Sequence, residues 1–562
     1  MAIKVPTSGP LGYIARHYNN TTLHRTDAQV EKEKTLGLGP LSMPYNRWLM
    51  FPAAFIFQAV CGSLYAWSVF NDPIDKELYG YTTNAKTGKQ VANQHNASVT
   101  FYIAVGFFGL SAAINGPWLE RVGPRKAALV GTTLFFIGNM VATLGIHFKI
   151  LGLIYFGYGV IGGSGLGLCY ISPVSALQKW FPDRRGVAAG FAVCGFGAGS
   201  IALAKVPLPL AEAIGLTYTF LTLGCVYFVI MFLCCLIFRV PPPGFQVNGM
   251  DMYRNKVNAN GDVEAFNTDK NANNIRNPAA SLPLIDAIFS SEYRLIYLMF
   301  FGNSIAGLVF LSRLSNIVVD IFGKTPATAT TIVSINGGFN LAGRLFFSTA
   351  SDLLGRKNCY IVMLTLQVII LASLPTIMAV KNYPAFLALI WIMTACYGGG
   401  FGTIPAFLCD MFGPTNIGAL HGIILTAWSI AGVGGGLLFT EIYNNLLANG
   451  YTVNDAWIYS KNLYWMLGVA SIGFIFIMFV RTNIRDRLLP KADGEFTRTR
   501  LFGKFIRVGS FGIKVLSKEQ EDREWAEYVE SVSQSTPSNM HEVKGNQPMV
   551  VDNKELPGKT EL

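Results

Sequence analysis

Twelve long stretches of apolar residues, almost free of charge, decide what this chain can fold into. A helix that crosses a bilayer needs about 20 apolar residues, and all its backbone groups must be hydrogen-bonded within the segment. Only 14% of the 562 residues are Lys, Arg, Asp or Glu, compared with about 25% in a typical soluble chain. We therefore predict an all-α membrane protein with twelve transmembrane helices, numbered here as spans one to twelve. The stretches cover approximately 47–70, 98–119, 127–147, 151–178, 187–210, 217–238, 294–321, 327–350, 359–380, 385–411, 418–442 and 462–480.

The spans form two groups of six. An N-terminal tail (1–45) precedes the first six-helix bundle (46–240), and a C-terminal tail (482–562) follows the second bundle (292–481). The connecting segment 241–291 opens with three prolines and a glycine and is rich in Asn and charged residues. This composition is typical of a linker.

The basic residues of the short loops set the expected orientation. The loops after spans two, four and eight carry two or three cations each, whereas the short loops on the other side carry one. Because basic loops stay in the cytoplasm, we expect both termini and the linker there, in a multi-pass protein of the plasma membrane. The sequon at Asn96 would then lie outside and accept a glycan. The first 45 residues lack the pattern of a cleavable signal peptide, so we expect span one to direct insertion.

Charge and cysteine usage argue against several other classes of protein. The formal net charge of +11 is explained by cytoplasmic loops and tails that face anionic lipid, so we expect no nucleic acid partner. The nine cysteines fall in or beside apolar segments, and the six histidines show no zinc-ligand spacing. We expect no disulfide framework, no metal and no cofactor. A phosphate-binding loop and a recognisable Ser/His/Asp arrangement are both missing from the sequence, which argues against an enzyme.

The two halves of the sequence repeat at a fixed distance. Three pairs of matched residues are separated by the same offset in residue number: Glu120 and Asp352 after spans two and eight, Pro173 and Pro405 in spans four and ten, and Gly186 and Gly418 in spans five and eleven. A constant offset across three spans indicates two parallel six-helix repeats. This is the pattern of alternating-access carriers, whose substrate site lies between the halves near the middle of the membrane. Glycines at three- or four-residue spacing in these spans predict close helix packing.

A charged motif follows span two and recurs after span eight. It reads Glu120-Arg121-Val-Gly-Pro-Arg125 at the first place and Asp352-Leu-Leu-Gly-Arg356 at the second. An acidic residue, a turn glycine and basic residues can hold two helix ends together, so these five residues are candidates for gating. The alternative is an ordinary basic loop that only sets topology. The repeated motif resembles that of the major facilitator superfamily, over nearly all of the chain from Asn46 to Arg481, although Glu120 replaces the usual Asp and Pro124 follows the glycine.

Three further segments resemble the oxalate-formate antiporter family, which is close to the monocarboxylate porters. They are residues 62–70 of span one, with Tyr65 and Trp67, the Asn340-x-x-Gly343-Arg344 sequence of span eight, and Gly422 with Thr426-Ala427 of span eleven. The resemblance implies that Tyr65 and Trp67 face the substrate. The alternative for both is a place in the aromatic belt at the membrane interface.

Arg344 is the leading candidate for a substrate contact. It precedes Asp352 by eight residues, which places it about 12 Å of helix away from the end of the span. A cation at that depth is unfavourable unless it faces a cavity or an anion, and a guanidinium can bind a carboxylate through two hydrogen bonds. The alternative is an Arg that snorkels to the cytoplasm or binds a carbonyl. In the resembled family an arginine at this motif position helps to bind the substrate carboxylate.

The composition of the expected cavity favours a singly charged substrate. The oxalate carrier of the resembled family also uses a lysine in span eleven, and by local match that position holds Trp428 here. One deep cation suits a monocarboxylate better than a dianion, because an unpaired carboxylate in a low-dielectric site is unfavourable. Tyr397 and Phe401 of span ten match aromatic positions that line the cavity of the family. The alternative interpretation of Tyr397 and Phe401 is that they pack against lipid or other helices.

The remaining charged residues are weaker candidates. Asp410 and Arg313 are expected to reach solvent near the ends of their spans, and His421 is expected to be a histidine with satisfied hydrogen bonds. In the C-terminal tail, alternating aromatic and basic residues between Phe496 and Arg507 predict attachment to anionic lipid headgroups. Residues 519–530 are expected to be helical and the last thirty to be disordered.

Together these features predict a secondary active transporter. It is expected to move small organic anions, with monocarboxylates favoured, by proton symport or by exchange for a counter-anion, and its other partner is the lipid bilayer. The alternatives are a neutral-solute carrier of the same fold and a nutrient sensor that binds without transport.

Overall fold

A computed structural model describes residues 9–36, 43–83, 90–92, 96–203, 205–253, 256–257, 263–264 and 283–535. Within these ranges a long helix occupies each of the twelve predicted spans, and ten of the twelve are long and apolar enough to cross a membrane by length and composition. Spans five and eight are the other two, and span eight owes its polarity to Thr, Ser and Asn residues and Arg344. From span two onward the main helices are Val99–Val122, Pro124–His147, Gly163–Trp180, Arg185–Leu203, Leu216–Cys235, Ser291–Asp320, Pro326–Leu354, Arg356–Ala379, Tyr383–Phe412, Ile417–Ala448 and Ala456–Phe479.

Three spans differ from simple rods. Span one consists of a 3-10 turn, a helix, a second 3-10 turn and a second helix, and it ends about nine residues later than predicted. Span four opens with a short helix and a π-helical segment, and span five stops early because prolines begin a separate short helix. The segments are Arg47–Leu49, Met50–Cys61, Gly62–Ala66 and Ser68–Tyr79 in span one, Leu151–Ile154 and Tyr155–Gly162 in span four, and Pro207–Ile214 after span five.

The sequence repeat is also present in the backbone. Spans two and eight end at Val122 and Leu354, which are related by the offset of the sequence repeat, and the glycine after each has a positive φ of 84° and 87°. Such a φ suits glycine, which has no Cβ to clash. Spans three and nine have the same length, and each is followed by a lysine with positive φ, Lys149 and Lys381. Helix ends and turn geometry therefore follow the offset read from the sequence.

Glycines bring helices of the two halves into close contact. A Cβ placed on Gly422 of span eleven would overlap the carbonyl oxygen of Ala112 in span two. A Cβ on Gly190 of span five would overlap the hydroxyl of Ser348 in span eight. No side chain fits in such gaps, so these glycines allow spans two and eleven, and spans five and eight, to pack closely.

The described parts of both tails pack at one end of the bundle. We call this end, which carries Glu120 and Asp352, the tail end, and the opposite end, which carries Asn96 and Lys149, the far end. The N-terminal segment contributes the helices Gly9–Asn19 and Asp27–Glu33. The remaining small elements are the strand pairs Thr35–Leu36 with Met43–Pro44, Tyr81–Thr83 with Gln90–Ala92, and Lys256–Val257 with Val263–Glu264, and the helix Leu284–Ile288.

The C-terminal tail forms a small folded unit. The helix Ile484–Leu488 precedes a three-stranded antiparallel sheet of Glu495–Leu501, Lys504–Gly509 and Gly512–Val515, and the helix Lys518–Ser535 follows it. That last helix confirms the helical prediction for 519–530. The buried side chains of Leu489, Phe505 and Trp525 form the core of the unit. The last residues, expected to be disordered, lie outside the described part of the chain.

The prediction that the cations of this tail bind lipid headgroups is wrong for three of them. Arg498 pairs with Glu495, Arg500 with Asp486 at 2.8 Å, and Arg507 with Glu524. Burial disfavours the charged form of Arg500, but its hydrogen bonds to carboxylates outweigh this effect and raise the pKa of the guanidinium. These charges stabilise the tail unit itself. Sequence pattern did not reveal the pairing, because Asp486 and Glu524 lie 14 and 17 residues away from their arginines.

Candidate functional site

A narrow cavity lies between the two halves, near the middle of the spans, and in this closed arrangement it has no room for even a water molecule. Its wall is almost entirely aromatic, with one cation. The first half contributes Tyr65, Phe108, Tyr170 and Phe196, and the second contributes Arg344, Phe401, Leu425 and Trp428. The cavity is small because side chains of both halves interdigitate across it. Any solute bound here contacts both halves at once, as an alternating-access site requires.

Arg344 is fully buried in this wall. Its Nε donates to Asn340 Oδ1 at 2.9 Å, and one terminal nitrogen donates to the Val193 carbonyl at 3.0 Å and to the Tyr170 hydroxyl at 3.4 Å. The other terminal nitrogen has no hydrogen-bond partner within the described ranges. All of these partners are neutral. The guanidinium also lies 5.1 Å from the ring centroid of Phe401, a distance at which a cation is attracted to the ring face.

The backbone of span ten packs directly against the backbone of span eight at Arg344. A Cβ on Gly402 would overlap the carbonyl oxygen of Arg344, and a Cβ on Gly398 would overlap that of Asn340. The glycines noted in the sequence therefore let the backbone of span ten touch that of span eight. This contact fixes the depth of both polar side chains of the Asn340-x-x-Gly343-Arg344 motif.

A chain of hydrogen bonds crosses the cavity beside the arginine. Trp428 Nε1 donates to the Tyr397 hydroxyl at 3.1 Å, and the Tyr397 hydroxyl lies 3.0 Å from that of Tyr65 in the other half. Phe401 packs against Tyr397 with ring centroids 5.2 Å apart. Five of the six residues predicted to contact substrate are thus brought together around one cavity.

Trp67 is the exception. It is buried within the first half, where its Nε1 donates to the Ala97 carbonyl at 3.1 Å and its ring lies 4.2 Å from that of Tyr158. Residues two apart point to roughly opposite sides of a helix, so Tyr65 faces the cavity while Trp67 faces its own bundle. The far end near Ala97 is also where Asn96 lies, with its backbone N–H bonded to Asp75. Glycosylation of Asn96 stays a prediction.

Glu120 makes the first of two matched contacts between the halves at the tail end. Its carboxylate accepts from the backbone N–H of Gly418 at 2.6 Å and from Ser175, and it forms a buried ion pair with Lys179. The predicted partners act elsewhere. Arg121 donates to the carbonyls of His17 and Asn20 in the N-terminal segment, and Arg125 donates to the carbonyl of Leu236.

Asp352 makes the second contact, at the position related by the repeat. It accepts from the backbone N–H of Gly186 at 3.1 Å and pairs with Arg356 at 2.6 Å. Arg356 also pairs with Asp410, which in turn binds Arg185 of the first half at 2.9 Å. In both contacts a carboxylate from one half binds the N-terminal end of a helix in the other, where the helix dipole favours negative charge.

Sequence reasoning missed several residues of these sites. Phe196 precedes Trp428 by the same offset that relates Glu120 to Asp352, so the repeat gave a signal for this second wall residue. Asp410 was expected to be solvated, but it joins two arginines across the tail end. Local sequence offered no sign of this pairing. His421 was expected to have satisfied hydrogen bonds, yet neither ring nitrogen has a partner in the part of the chain that the structure describes.

Comparison with known proteins gives a consistent family assignment. Residues 84–436 match the family described as the Major Facilitator Superfamily. The chain is 24% identical over 405 residues to the oxalate:formate antiporter of Oxalobacter formigenes, covering 71% of this chain and 86% of that protein. It is 22% identical over 378 residues to apicoplast pyruvate carrier 1 of Toxoplasma gondii, covering 61% and 68%. The solved structure of the proton:xylose symporter XylE bound to 6-bromo-6-deoxy-D-glucose superposes with a TM-score of 0.52 at 16% identity, covering 75% of this chain and 94% of that one, which shows the fold alone.

Proposed function

This chain belongs to the Major Facilitator Superfamily, and we propose that it carries small organic anions, in particular monocarboxylates, by alternating access. It is a transporter and not an enzyme. The substrate class, the site and the coupling are our inferences, and they rest on the chemistry of the central cavity.

The observation that carries the proposal is the charge of Arg344. The side chain is 0% exposed, its contacts within the described ranges are an amide, a carbonyl, a hydroxyl and aromatic rings, and one nitrogen has no partner. A buried cation without a counter-charge is unfavourable, so a chain that retains one gains most when an anion binds to it. A carboxylate between the two halves would receive the unused N–H groups.

Two further observations limit the anion to a small, singly charged one. Trp428 occupies the place where the resembled oxalate carrier has a lysine, and its indole N–H is used by Tyr397. The aromatic wall leaves little space and offers few polar groups besides the guanidinium. The names of the oxalate:formate antiporter and the pyruvate carrier are consistent with carboxylate substrates.

We further propose that the tail end is cytoplasmic and acts as one gate. The contacts of Glu120 with Gly418, of Asp352 with Gly186, and of Arg185 with Asp410 all join the two halves. They must break for the cavity to open at this end. Trp67, Arg121 and Arg125 make contacts of other kinds and are not part of the proposed site or gate.

Transport by the purified protein in liposomes tests this function. Labelled formate and pyruvate should accumulate in vesicles that contain unlabelled anion, whereas xylose should not. Uptake of xylose but not of the acids would favour a neutral-solute carrier and contradict the proposal. Binding of an acid with no flux in any gradient would favour a sensor and would also contradict it.

A further inference from the structure

His421 is a buried titratable group with unused hydrogen-bonding capacity. It lies in the second turn of span eleven and is 0% exposed, and neither Nδ1 nor Nε2 has a hydrogen-bond partner within the described ranges. Leaving a buried polar group unpaired costs about 1–3 kcal/mol. A histidine placed at such a cost, where a leucine would pack without it, requires an explanation beyond packing.

The position of His421 links it to the proposed anion site. Its ring lies 5.7 Å from that of Tyr170 in the other half, and the Tyr170 hydroxyl accepts a hydrogen bond from Arg344. Leu425, one helical turn further along span eleven, lines the cavity itself. The imidazole therefore lies just beyond the cavity wall on the tail-end side, at an interface that must separate when this end opens.

Most of the charges near His421 already have partners. The charged and titratable groups on the tail-end parts of the helices packed against span eleven are Glu120, Arg121, Cys169, Tyr170, Lys179, Asp286, Glu292, Tyr293, Arg294, Tyr297, Cys409 and Asp410. Arg344 of span eight reaches this region through its hydrogen bond to Tyr170. Glu120 and Lys179 pair with each other, and Asp410 pairs with arginines. Arg344 is the fully buried cation that has only neutral partners in the described part of the chain, and a second buried cation on the other side of Tyr170 would be unfavourable for the same reason. A carboxylate bound to Arg344 would supply negative charge to this buried region.

We propose that His421 takes up a proton when a monocarboxylate binds at Arg344, so that the carrier moves the anion together with one proton. This inference rests on the proposed function. Anion and proton assist each other's binding, because each lowers the electrostatic cost of the other. The pair adds no net charge to the site, so the loaded and unloaded carriers cross the same conformational change with equal charge. The proton enters from the side that loads the anion and leaves with it on the other side.

The test compares two assays on wild-type protein and on His421→Leu in liposomes, with labelled pyruvate as the probe. The first assay measures accumulation driven by a pH gradient, alkaline inside. The second measures exchange for internal pyruvate at equal pH on both sides. We expect the gradient-driven rate of His421→Leu to be at least about tenfold lower than that of the wild type, and most of the exchange rate to be kept. A tenfold change corresponds to a typical coupling free energy between two sites.

Two controls protect this result from a folding defect. His421→Gln tests the same position with a polar side chain that cannot be protonated, and it should behave like the leucine variant. His147→Leu replaces an exposed histidine at the far end and should leave both assays unchanged. Since His421 makes no hydrogen bond within the described ranges, the leucine variant should also unfold at a temperature no lower than the wild type does.

Retention of the gradient-driven rate in both His421 variants would overturn the inference. A wild-type protein that exchanges pyruvate but ignores the pH gradient would also overturn it, while the proposed function would stand. A wild-type protein that moves neither pyruvate nor formate in either assay would reject the proposed function and this inference together.

Discussion

Buried charges are arranged differently at the tail end and at the centre of the bundle. At the tail end, Lys179 faces Glu120, Arg356 faces Asp352 and Asp410, and Arg185 faces Asp410. At the centre, Arg344 faces only neutral groups of the described chain. Both regions join the two halves, so we interpret the difference in charge pairing as a difference in function. In our proposal the paired charges hold one end closed, and the partner of the unpaired charge is supplied by the solute.

The energetics of buried charges support this distinction. Breaking a buried pair by removing one partner costs about 3–5 kcal/mol, because it leaves an uncompensated charge. Under the proposed gating role, the tail end opens only when its ion pairs separate together and become hydrated. Anion binding should be most favourable at the centre, because the free-energy cost of removing water from Arg344 has already been met during folding.

The largest effect is expected at the unpaired charge. Arg344→Gln keeps a side chain that can form hydrogen bonds but removes the positive charge and the paired N–H donors of the guanidinium. Formate and pyruvate uptake should therefore fall about 100-fold or more. Arg344→Lys should retain more activity than the glutamine variant, since it restores charge without the planar fork. Initial uptake rates in liposomes measure both.

The matched control for this prediction is Arg313→Gln. Arg313 lies in the same half and donates to the Thr440 hydroxyl at 2.7 Å, away from the central cavity. Its replacement should leave uptake within about twofold of wild type. Equal losses in the Arg344 and Arg313 variants would indicate a general folding defect and would remove the distinction between the two sites.

The second effect is expected at the paired charges. Asp410→Asn removes the shared partner of Arg185 and Arg356, so the closed tail end should lose about 3 kcal/mol relative to the open form. Spin labels at the exposed positions Lys126 and Leu353 would report a larger share of long distances across this end. In the exposed pair of Asp72 and Lys76, Asp72→Asn should change nothing measurable. An unchanged distance distribution in Asp410→Asn would contradict a gating role.

The third effect concerns the number of cations at the centre. Trp428→Lys adds a second cation beside Arg344, which should raise the ratio of oxalate to formate uptake by about tenfold, equal to ~1.4 kcal/mol of preference. Competition between the two labelled acids measures this ratio. A ratio that stays at the wild-type value would show that Trp428 does not restrict the charge of the substrate.

The smallest effect separates two aromatic residues that the sequence placed together. Tyr397→Phe removes the hydroxyl that joins Trp428 to Tyr65 and should reduce uptake about fivefold, the scale of one hydrogen bond. Trp67→Phe removes an N–H that binds the Ala97 carbonyl and should leave the uptake rate per folded molecule nearly unchanged, with a loss of thermal stability instead. A loss of uptake in Trp67→Phe larger than that in Tyr397→Phe would indicate that Trp67 contributes to the substrate site.

The parts of the molecule that could be read from the sequence are those governed by local composition or by the repeat. Apolar length located the twelve spans, and the constant offset between the halves located the matched contacts of Glu120 and Asp352. Arg344 could be identified from the sequence as a candidate site residue, because a cation deep in an apolar segment is rare and is stable only beside a cavity or an anion.

The rest depended on helix rotation and on pairing across long distances. Whether Tyr65 or Trp67 faces the cavity depends on the rotation of span one about its axis, which hydropathy does not reveal. Asp410 looked like any carboxylate near a span end, since Arg185 lies 225 residues away. The cations of the C-terminal tail looked suited to lipid until a sheet and a helix supplied their carboxylates.

Binding of a matched pair of ligands tests the central claim most directly. Lactate and lactamide have nearly the same shape, but only lactate is charged, so their ability to displace labelled pyruvate from purified protein isolates the contribution of negative charge. We expect lactate to compete in the wild type and lactamide not to compete, and we expect Arg344→Gln to bind no pyruvate. Equal displacement by lactate and lactamide, or undiminished pyruvate binding by Arg344→Gln, would contradict the account.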